Sequence, residues 1–540
     1  MRGIHDKMIF ADLFFLYIFL PAVVIVYAIA RCGDAARNVL RGRPGAGEKL
    51  ISESPVVNVT IMIYLLFFYL RGEFIYASLI LLLLLLCSFG ASDNENPFSN
   101  AALIIFSLIF YAWGEPLYVA LMLVSVTINY IAGLAIDRGG SKSSRAALIV
   151  GVALNAAIIC VFKYSGFIAE TLNQLGLSVP VPDITPPIGI SFYTFQSITY
   201  LADVYSGKAS GQRSMAGLLL YISMFPQLIA GPIVRYTSIS EEIESRSISL
   251  KDISEGSFRF FIGLGKKVIL ANQLSVISSK FLDGDLNAVS VAGAWLGIIA
   301  FTFQIYFDFS GYSDMAIGLG RCFGFHFDEN FNYPYISRTI TDFWRRWHIS
   351  MGSFFRDYVY IPLGGNRRHQ PLNLLIVWFL TGLWHGASWN FVLWGLYFGV
   401  ILIIEKYALL KIADKIPKVI LHIYSLFLII FGWVIFYFED FSRLGRFIKI
   451  LFGAGGNRLW DILTGSELAG NAYLLVVSVI CCLPIAHLIR DSYKESMKRK
   501  NAASAVVLTM GKTLCAFAIL AVSTLLLIRN TNNPFLYYRF

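Results

Sequence analysis

The sequence of 540 residues is 57% hydrophobic and only 14% charged, which excludes an ordinary soluble protein, because soluble domains carry about 25% charged residues. The apolar runs are continuous and not alternating, so the predicted class is all-α, a polytopic protein of the lipid bilayer. The net charge of +10 fits Lys and Arg in cytoplasmic loops, and no nucleic-acid motif is present. We expect one integral membrane domain over residues 1–540, with about 11–14 membrane helices plus interfacial or re-entrant helices.

Seven cysteines are scattered along the chain, most of them within apolar runs, without a CxxC pair or a Cys/His ligand cluster. This distribution predicts reduced cysteines and no disulfide framework. We expect no metal site and no bound cofactor.

The first apolar run, Met8–Ala30, predicts a retained membrane helix. Ala28–Ala30 resembles a signal-peptidase site, but the apolar region is long for a signal peptide and contains Asp12 and Pro21. Basic residues in 31–50 and 138–145 mark two cytoplasmic loops, so the N-terminus is expected outside the cytoplasm. Four spans are predicted between these loops, an even number that returns the chain to the same side: 56–70, 74–90, 99–112 and 116–137.

An internal repeat relates these four spans. The stretch from Pro55 matches the stretch from Pro97 at a constant offset of 42 residues, and the matches include Asn58/Asn100, Gly72/Gly114 and Glu73/Glu115. The matched Pro, Asn, Gly and Glu favour duplication of a helical hairpin over chance similarity between apolar runs. Residues 55–96 and 97–138 are therefore predicted to be two hairpins of the scaffold.

The middle of the chain contains irregular and polar membrane segments. A span at 146–162 precedes a shorter, interfacial-type segment at 166–177. The segment 186–205 carries Gln196 and Asp203 among apolar residues, so it needs an interior lined by protein or water. Met224–Tyr236 has two prolines and one glycine, which predicts a kinked or re-entrant segment, and spans at 258–282 and 292–325 follow.

The span 292–325 is unusually polar. Gln304, Asp308, Ser310, Ser313 and Asp314 lie within eleven positions, and carboxylates at such positions avoid lipid. A structural hydrogen-bond network is favoured slightly over a catalytic role. Gln304, Asp308 and Asp314 remain candidate substrate-binding residues.

Two histidines stand in apolar sequence between Thr341 and Trp389. Trp344, His348, Met351, Phe355 and Tyr358 recur at helical spacing, which predicts an amphipathic helix with His348 on its apolar face. His385 follows an apolar run and is flanked by Trp384 and Gly386. Each could be a core histidine bonded to a carbonyl, but imidazole titrates near neutral pH, so the pair favours proton-transfer chemistry.

A basic glycine-containing loop separates the two histidines. Arg367 and Arg368 follow Gly364 and Gly365 in a loop expected to be flexible, and guanidinium groups suit phosphates; charge that only marks a cytoplasmic loop is an equal alternative. After this region the sequence predicts a mixed loop at 441–467, a basic cytoplasmic segment at 490–500, and spans at 392–405, 419–438, 472–489 and 505–528.

The motif set resembles the membrane-bound O-acyltransferase family, in its branch of alginate O-acetyltransferase membrane subunits. The motifs are FYAWGEPLY (110–118), ISFYTFQSITYLADVY (190–205), FPQLIAGPIVRY (225–236), QIYFDFSGYSDMAIGLGRCFGF (304–325), the stretch 330–368 with its WRRWHIS and YIPLGGNRR segments, LTGLWHGASWNFVLWGLYFG (380–399) and the ending NPFLYYRF (533–540). The resemblance covers about residues 8–30, 98–410 and the last few residues. The hairpin around 31–97 departs from the family pattern.

The resemblance implies a catalytic core over 186–408, a catalytic role for His385 and a second active-site role for His348. It further implies an acetyl group taken from a cytoplasmic thioester, acetyl-CoA, and delivered to a hydroxyl outside the cell membrane. An extracytoplasmic SGNH-type acetyltransferase is the implied partner. Alginate, cellulose, peptidoglycan and other exopolysaccharides are all open as acceptors.

Three other functions remain open at this stage. The first is D-alanyl transfer to teichoic acid, the second is a transporter or flippase, because broken polar helices also occur there, and the third is a structural partner subunit. The chain lacks a G-x-S-x-G motif, so a serine-hydrolase mechanism is unsupported. Trp384 is a candidate for an indole N–H donor or, preferably, for a wall of the site.

Overall fold

The computed structural model describes residues 8–41, 95–229, 231–485 and 502–529. In chain order, the helices of the first half are α1 Leu20–Leu40, α2 Pro97–Gly114, α3 Tyr118–Arg138, α4 Ser141–Ile159, α5 Ser165–Gln174, α6 Ile190–Tyr205, α7 Met215–Ser223, α8 Phe225–Leu228, α9 Tyr236–Glu244 and α10 Leu250–Gly265. Those of the second half are α11 Asn272–Leu282, α12 Val291–Cys322, α13 Ile340–Arg346, α14 Ile349–Phe355, α15 Gln370–His385, α16 Trp389–Tyr407, α17 Lys418–Tyr437, α18 Phe441–Leu451, α19 Ile462–Cys481 and α20 Ala502–Arg529. These ranges contain no β-strand.

Ten helical segments of the described ranges are long and apolar enough to cross a membrane. The all-α, polytopic class is therefore confirmed. The predicted spans 56–70 and 74–90, the first repeat unit and the basic segment 490–500 lie outside the described residues.

Three predicted boundaries are wrong. α1 continues to Leu40, so the start of the predicted loop 31–50 is helical, and Asp34 of this helix accepts hydrogen bonds from the backbone N–H groups of Phe98 (2.9 Å) and Ser99 (3.0 Å) at the start of α2. The predicted segments 146–162 and 166–177 form one span, Ser141–Gln174, joined by the π-helical turn Cys160–Tyr164.

The third boundary concerns the predicted loop 441–467 and the span 472–489. The loop contains α18, and α19 begins at Ile462 and ends at Cys481. Local capping explains both starts, because Asp440 accepts from Ser442 N and Asp461 accepts from Thr464 N, each at 2.6 Å. The pattern of apolar residues alone does not reveal these capping residues, so it misplaces the helix starts.

The chain divides into two compact units. Unit one comprises residues up to 163, 184–256 and 319–327, and unit two comprises 164–183, 257–318 and 328 onward. The core of unit one contains a cluster of phenylalanine rings, in which Phe110 lies 5.8 Å from Phe10 and 5.7 Å from Phe225. Buried Arg246 crosses this unit and donates to Tyr27, Asn100 and the Phe323 carbonyl.

The predicted irregular segment of unit one is broken as expected. α7 ends at Ser223, the one-turn helix α8 follows, and the chain then runs without a helix to α9. The Phe225 N–H donates to Ser107 Oγ (3.0 Å), and the Tyr221 hydroxyl donates to the Val234 carbonyl (2.8 Å). These side-chain bonds satisfy backbone groups that the broken helix leaves open.

In unit two, a glycine contact sets the crossing of α10 and α12. A Cβ atom on Gly263 would lie 2.5 Å from the Gly311 carbonyl oxygen, and one on Gly311 would lie 2.8 Å from that of Gly263. Only glycine permits backbones to approach this closely. The crossing brings the lysines that follow Gly263 against the carboxylates on α12.

Candidate active site

The segment that carries His348 is broken at the histidine. α13 ends at Arg346, Trp347 is extended (φ −101°, ψ 127°), and His348 is left-handed (φ 47°, ψ 55°) before α14 begins. The prediction of one continuous amphipathic helix through Trp344, His348 and Tyr358 is therefore wrong. The physical reason is a competing partner for the first N–H groups of α14, because the Asn330 carbonyl accepts from Ile349 N (3.0 Å) and the Asn330 side chain accepts from Ser350 N (3.3 Å).

His348 is completely buried. Its Nδ1 lies 3.0 Å from Asn330 Oδ1, and its ring meets the Phe309 ring edge-on at 4.7 Å. The segment lies outside the ten spanning helices, and burial lowers the pKa of the imidazole to about 3. The ring is therefore neutral near pH 7, the form that accepts a proton.

His385 is the last residue of α15 and is 8% exposed. Its ring lies 4.8 Å from the Trp394 ring and 5.3 Å from the Phe436 ring, both edge-on. Close packing of α15 on α16 fixes this position, because a Cβ atom on Gly382 would lie 2.3 Å from the Phe391 carbonyl oxygen. The chain after His385 is equally confined.

Trp384 brings the two histidines into one cluster. Its ring lies 5.6 Å from the His348 ring and 4.8 Å from the His385 ring, and the indole is buried. His348, Trp384 and His385, predicted from separate positions of the sequence, are thus neighbours. Their surroundings are aromatic and buried, and an imidazole placed there interacts strongly with any charge that develops beside it.

The polar residues of α12 have protein partners. Asp308 forms a buried ion pair with Lys267 (2.7 Å), and Gln304 Oε1 accepts from Ser278 Oγ (2.6 Å). Asp314 pairs with Arg259 (2.9 Å) and Lys266 (2.6 Å). These contacts favour the structural interpretation of Gln304, Asp308 and Asp314 over substrate binding.

The arginine loop lies apart from His385. Arg367 and Arg368 are exposed and precede α15, whereas His385 ends this 16-residue helix, which places them about 24 Å apart along its axis at 1.5 Å per residue. The loop is fixed by Asn373, whose Nδ2 donates to the carbonyls of Gly365 (3.1 Å) and Arg368 (2.6 Å). These two bonds connect the loop backbone to α15.

Sequence reasoning missed two residues that hold the His348 segment. Asn330 lies 18 positions before His348 and was part of a motif, but no local pattern marks its side chain as structural. Glu405 is completely buried and accepts from Ile340 N (2.6 Å), Thr341 N (2.7 Å) and Thr341 Oγ1 (2.6 Å) at the start of α13. The sequence could have indicated a role for Glu405, because it is a carboxylate at the end of an apolar span.

Within the described ranges, no group of three or more His, Cys, Asp or Glu side chains is placed to hold a metal ion. The cluster consists of two buried imidazoles and aromatic rings. It defines an integral membrane protein with a histidine-based interior site.

The sequence comparisons identify the class. The model of the membrane-bound O-acyltransferase family matches residues 209–445. The chain is 37% identical to a protein of Azotobacter vinelandii named as a probable alginate O-acetylase, over 77% of this chain and 90% of that protein. It is 30% identical to the peptidoglycan O-acetyltransferase of Helicobacter pylori, over 77% and 86% of the two chains. The teichoic acid D-alanyltransferase of Bacillus subtilis is 27% identical over 45% of this chain and 67% of that protein.

The chain belongs to the membrane-bound O-acyltransferase family. It is a multi-pass membrane enzyme that transfers an acyl group to a hydroxyl.

Proposed function

We propose that this enzyme takes an acetyl group from cytoplasmic acetyl-CoA for the O-acetylation of an alginate-like extracellular or cell-wall polysaccharide. The observation that carries the proposal is the cluster of two buried histidines around Trp384 in an O-acyltransferase. The relatives named for alginate and peptidoglycan O-acetylation, which match more than three quarters of the chain, support acetyl as the group and a polysaccharide as the acceptor.

His385 is the proton acceptor in the proposed mechanism. Its imidazole removes the proton of the attacking hydroxyl as the new C–O bond forms at the thioester carbonyl. The tetrahedral intermediate then expels the thiolate as the C–S bond breaks, and the histidine returns the proton to sulfur. A thioester is already activated, so one positioned base and a water-poor site suffice without a protein nucleophile.

The charge distribution supports the proposed direction of transfer. Arg367 and Arg368 lie at the start of α15, and Lys406 of α16 donates to Asn366 (3.0 Å) at the same end. By the positive-inside rule this end is cytoplasmic, so the arginines are placed to meet the phosphates of acetyl-CoA. His385 lies at the other end of α15, deeper along the path to the extracytoplasmic side.

The acceptor polymer is proposed to receive the acetyl group through an extracytoplasmic SGNH-type acetyltransferase. The basic loop 31–50 favours an extracytoplasmic N-terminus in the cell membrane. D-Alanyl transfer to teichoic acid is the less supported alternative, because its named relative matches only 45% of the chain. Membership in an O-acyltransferase family disfavours a transporter or an inactive subunit.

Substitution of His385 tests this function. General-base catalysis contributes about 10²–10⁴-fold to the rate, so His385→Ala and His385→Gln should lower acetyl incorporation into the polymer by at least that factor. Acetyl content is measured alongside the membrane level of the enzyme by blot. Near-normal acetylation by correctly inserted His385→Ala protein would refute the mechanism.

His326→Ala is the matched control. This exposed histidine pairs with Glu242 in unit one (2.6 Å), and a surface pair of this kind contributes about 0–1 kcal/mol to stability. Its removal should leave acetyl incorporation at the wild-type level. His348→Ala should lower turnover, by a smaller factor than His385→Ala.

A further inference from the structure

The side chain of Asn330 is the centre of a buried hydrogen-bond network around His348. Asn330 is completely buried. Its Oδ1 accepts from Ser350 N (3.3 Å) and Ser350 Oγ (2.9 Å) and lies 3.0 Å from His348 Nδ1, while its Nδ2 donates to Ser313 Oγ (3.1 Å). Loop 328–339, α12 and α14 of unit two are thus joined at one amide.

This network determines which nitrogen of His348 carries the proton. A backbone N–H can only donate, so the Asn330 atom that faces Ser350 N must be the oxygen, which fixes the orientation of the amide. An oxygen 3.0 Å from His348 Nδ1 requires a proton on Nδ1. In the neutral ring, the lone pair therefore lies on Nε2.

The other nitrogen of His348 remains available for chemistry. Nε2 is buried and has no hydrogen-bond partner among the described residues. Two of its ring's neighbours are Phe309 and Trp384, and among the described residues neither of them donates a hydrogen bond to Nε2. A buried acceptor of this kind calls for a donor from outside the protein.

We propose that Asn330 is a positioning residue that holds His348 as the Nδ1–H tautomer, so that Nε2 is a fixed acceptor for an O–H or N–H group of a substrate. The inference rests on the proposed acyl transfer and adds the second group of the site. The backbone serves the same end, because His348 has a left-handed conformation that is uncommon for a non-glycine residue. This conformation is held by the N–H groups of both following residues, which donate to Asn330. Asn330 thereby determines both the tautomer of the His348 ring and the backbone conformation of His348.

The pH dependence of two variants separates positioning from mere packing. In Asn330→Asp, the new carboxylate accepts the same Nδ1–H and Ser313 can turn its hydroxyl to donate. A carboxylate so close stabilises imidazolium and raises the imidazole pKa by about 1–3 units. The acceptor form is then lost at a higher pH, so the acid limb of the pH–rate profile should move up while activity persists at alkaline pH.

Asn330→Ala removes the tautomer control without adding charge. We expect about a hundredfold loss of rate at every pH, at the lower end of what a general-base group contributes, and no rescue at alkaline pH. The rates are measured with the full-length protein in membranes that retain its extracytoplasmic partner, with acetyl-CoA as donor and a short alginate oligosaccharide as probe acceptor. Unchanged rates and pH profiles in both variants would overturn the proposal.

A spectroscopic measurement decides the tautomer independently of activity. The full-length protein labelled with ¹⁵N-histidine is compared with its His348→Gln variant by solid-state NMR, which assigns the His348 signals. The proposal requires a protonated Nδ1 and an unprotonated Nε2 in the wild type, and a protonated Nε2 would refute it. An inactive wild type with the required tautomer would refute the acyl-transfer function and leave the assignment of His348 standing.

Discussion

Arg367 and Arg368 illustrate how the position of a residue divides binding from chemistry. Both are exposed and lie about 24 Å from His385 along α15. A side chain at that distance does not touch the reacting atoms. Its role in the proposed reaction is limited to holding the remote part of the donor.

This separation predicts a particular kinetic effect. Arg367→Ala/Arg368→Ala should raise the KM for acetyl-CoA more than it lowers kcat, because phosphate binding contributes equally to the ground and transition states. The measurement is initial rate against acetyl-CoA concentration. The matched control is Lys411→Ala/Lys415→Ala, which removes two cations near the same end and should leave the KM for acetyl-CoA unchanged. Equal KM values in the two double variants would mean that the arginines only mark the cytoplasmic side.

At the scale of elements, the buried charges of unit two act between helices. Lys267 and Asp308 are 2% and 4% exposed and face each other across the Gly263–Gly311 crossing. Removing one member of a buried pair leaves an uncompensated charge, whereas replacing both members by apolar residues is often neutral or stabilising. The pair is therefore a test of whether Asp308 serves structure or substrate.

We predict that Asp308→Ala destabilises the protein by about 3–5 kcal/mol and that Lys267→Met/Asp308→Leu regains stability together with acetyl transfer. Thermal unfolding in detergent and the acetylation rate are measured on the same preparations. Glu467→Ala, which breaks the more exposed pair with Lys280, is the control and should cost about 1 kcal/mol or less. A double variant that is stable but inactive would indicate that Asp308 takes part in substrate binding.

Features of the fold that depend on residues close together in the sequence were predictable, and features that depend on distant residues were not. Continuous apolar runs located α3 and α17 to within a few residues, and unusual imidazole positions identified His348 and His385. The break at His348 depends on Asn330, 18 residues earlier, and the ion pairs depend on a glycine contact between α10 and α12. Both causes exist only after the chain has folded, so apolar periodicity did not reveal them.

For the whole molecule, the basic residues predict an orientation. Hydrogen bonds within unit one join Asn38 to the Glu95 carbonyl (2.9 Å) and Glu95 N to the Glu244 carbonyl (2.9 Å), so the end of α1, the start of α2 and the end of α9 lie together. The basic loop after α1 assigns this end to the cytoplasm. In unit two, the positive-inside rule predicts a cytoplasmic location for the end of α15 that is marked by Arg367, Arg368 and Lys406.

Cysteine labelling from outside sealed cells tests this orientation in a cysteine-free background. Arg41→Cys, Lys142→Cys and Lys411→Cys should resist a membrane-impermeant thiol reagent, because all three positions are predicted to be cytoplasmic. Glu439→Cys, exposed at the other end of α17, should be labelled and serves as the positive control. Labelling of the first three without disruption of the cells would invert the topology and the direction of acetyl transfer.

The pairing of lysines with aspartates between α12 and the segment that follows Gly263 has a consequence for the synthesis and membrane insertion of the protein. Lys267 is synthesised 41 residues before Asp308, and Lys266 is synthesised 48 residues before Asp314. Each delay is about 2–10 seconds at ~5–20 residues per second. An unpaired lysine at the centre of a membrane helix costs about 2.5–3.5 kcal/mol on insertion. Pairing with Asp308 and Asp314, once these residues have been translated, therefore lowers the cost of keeping both lysines in the membrane.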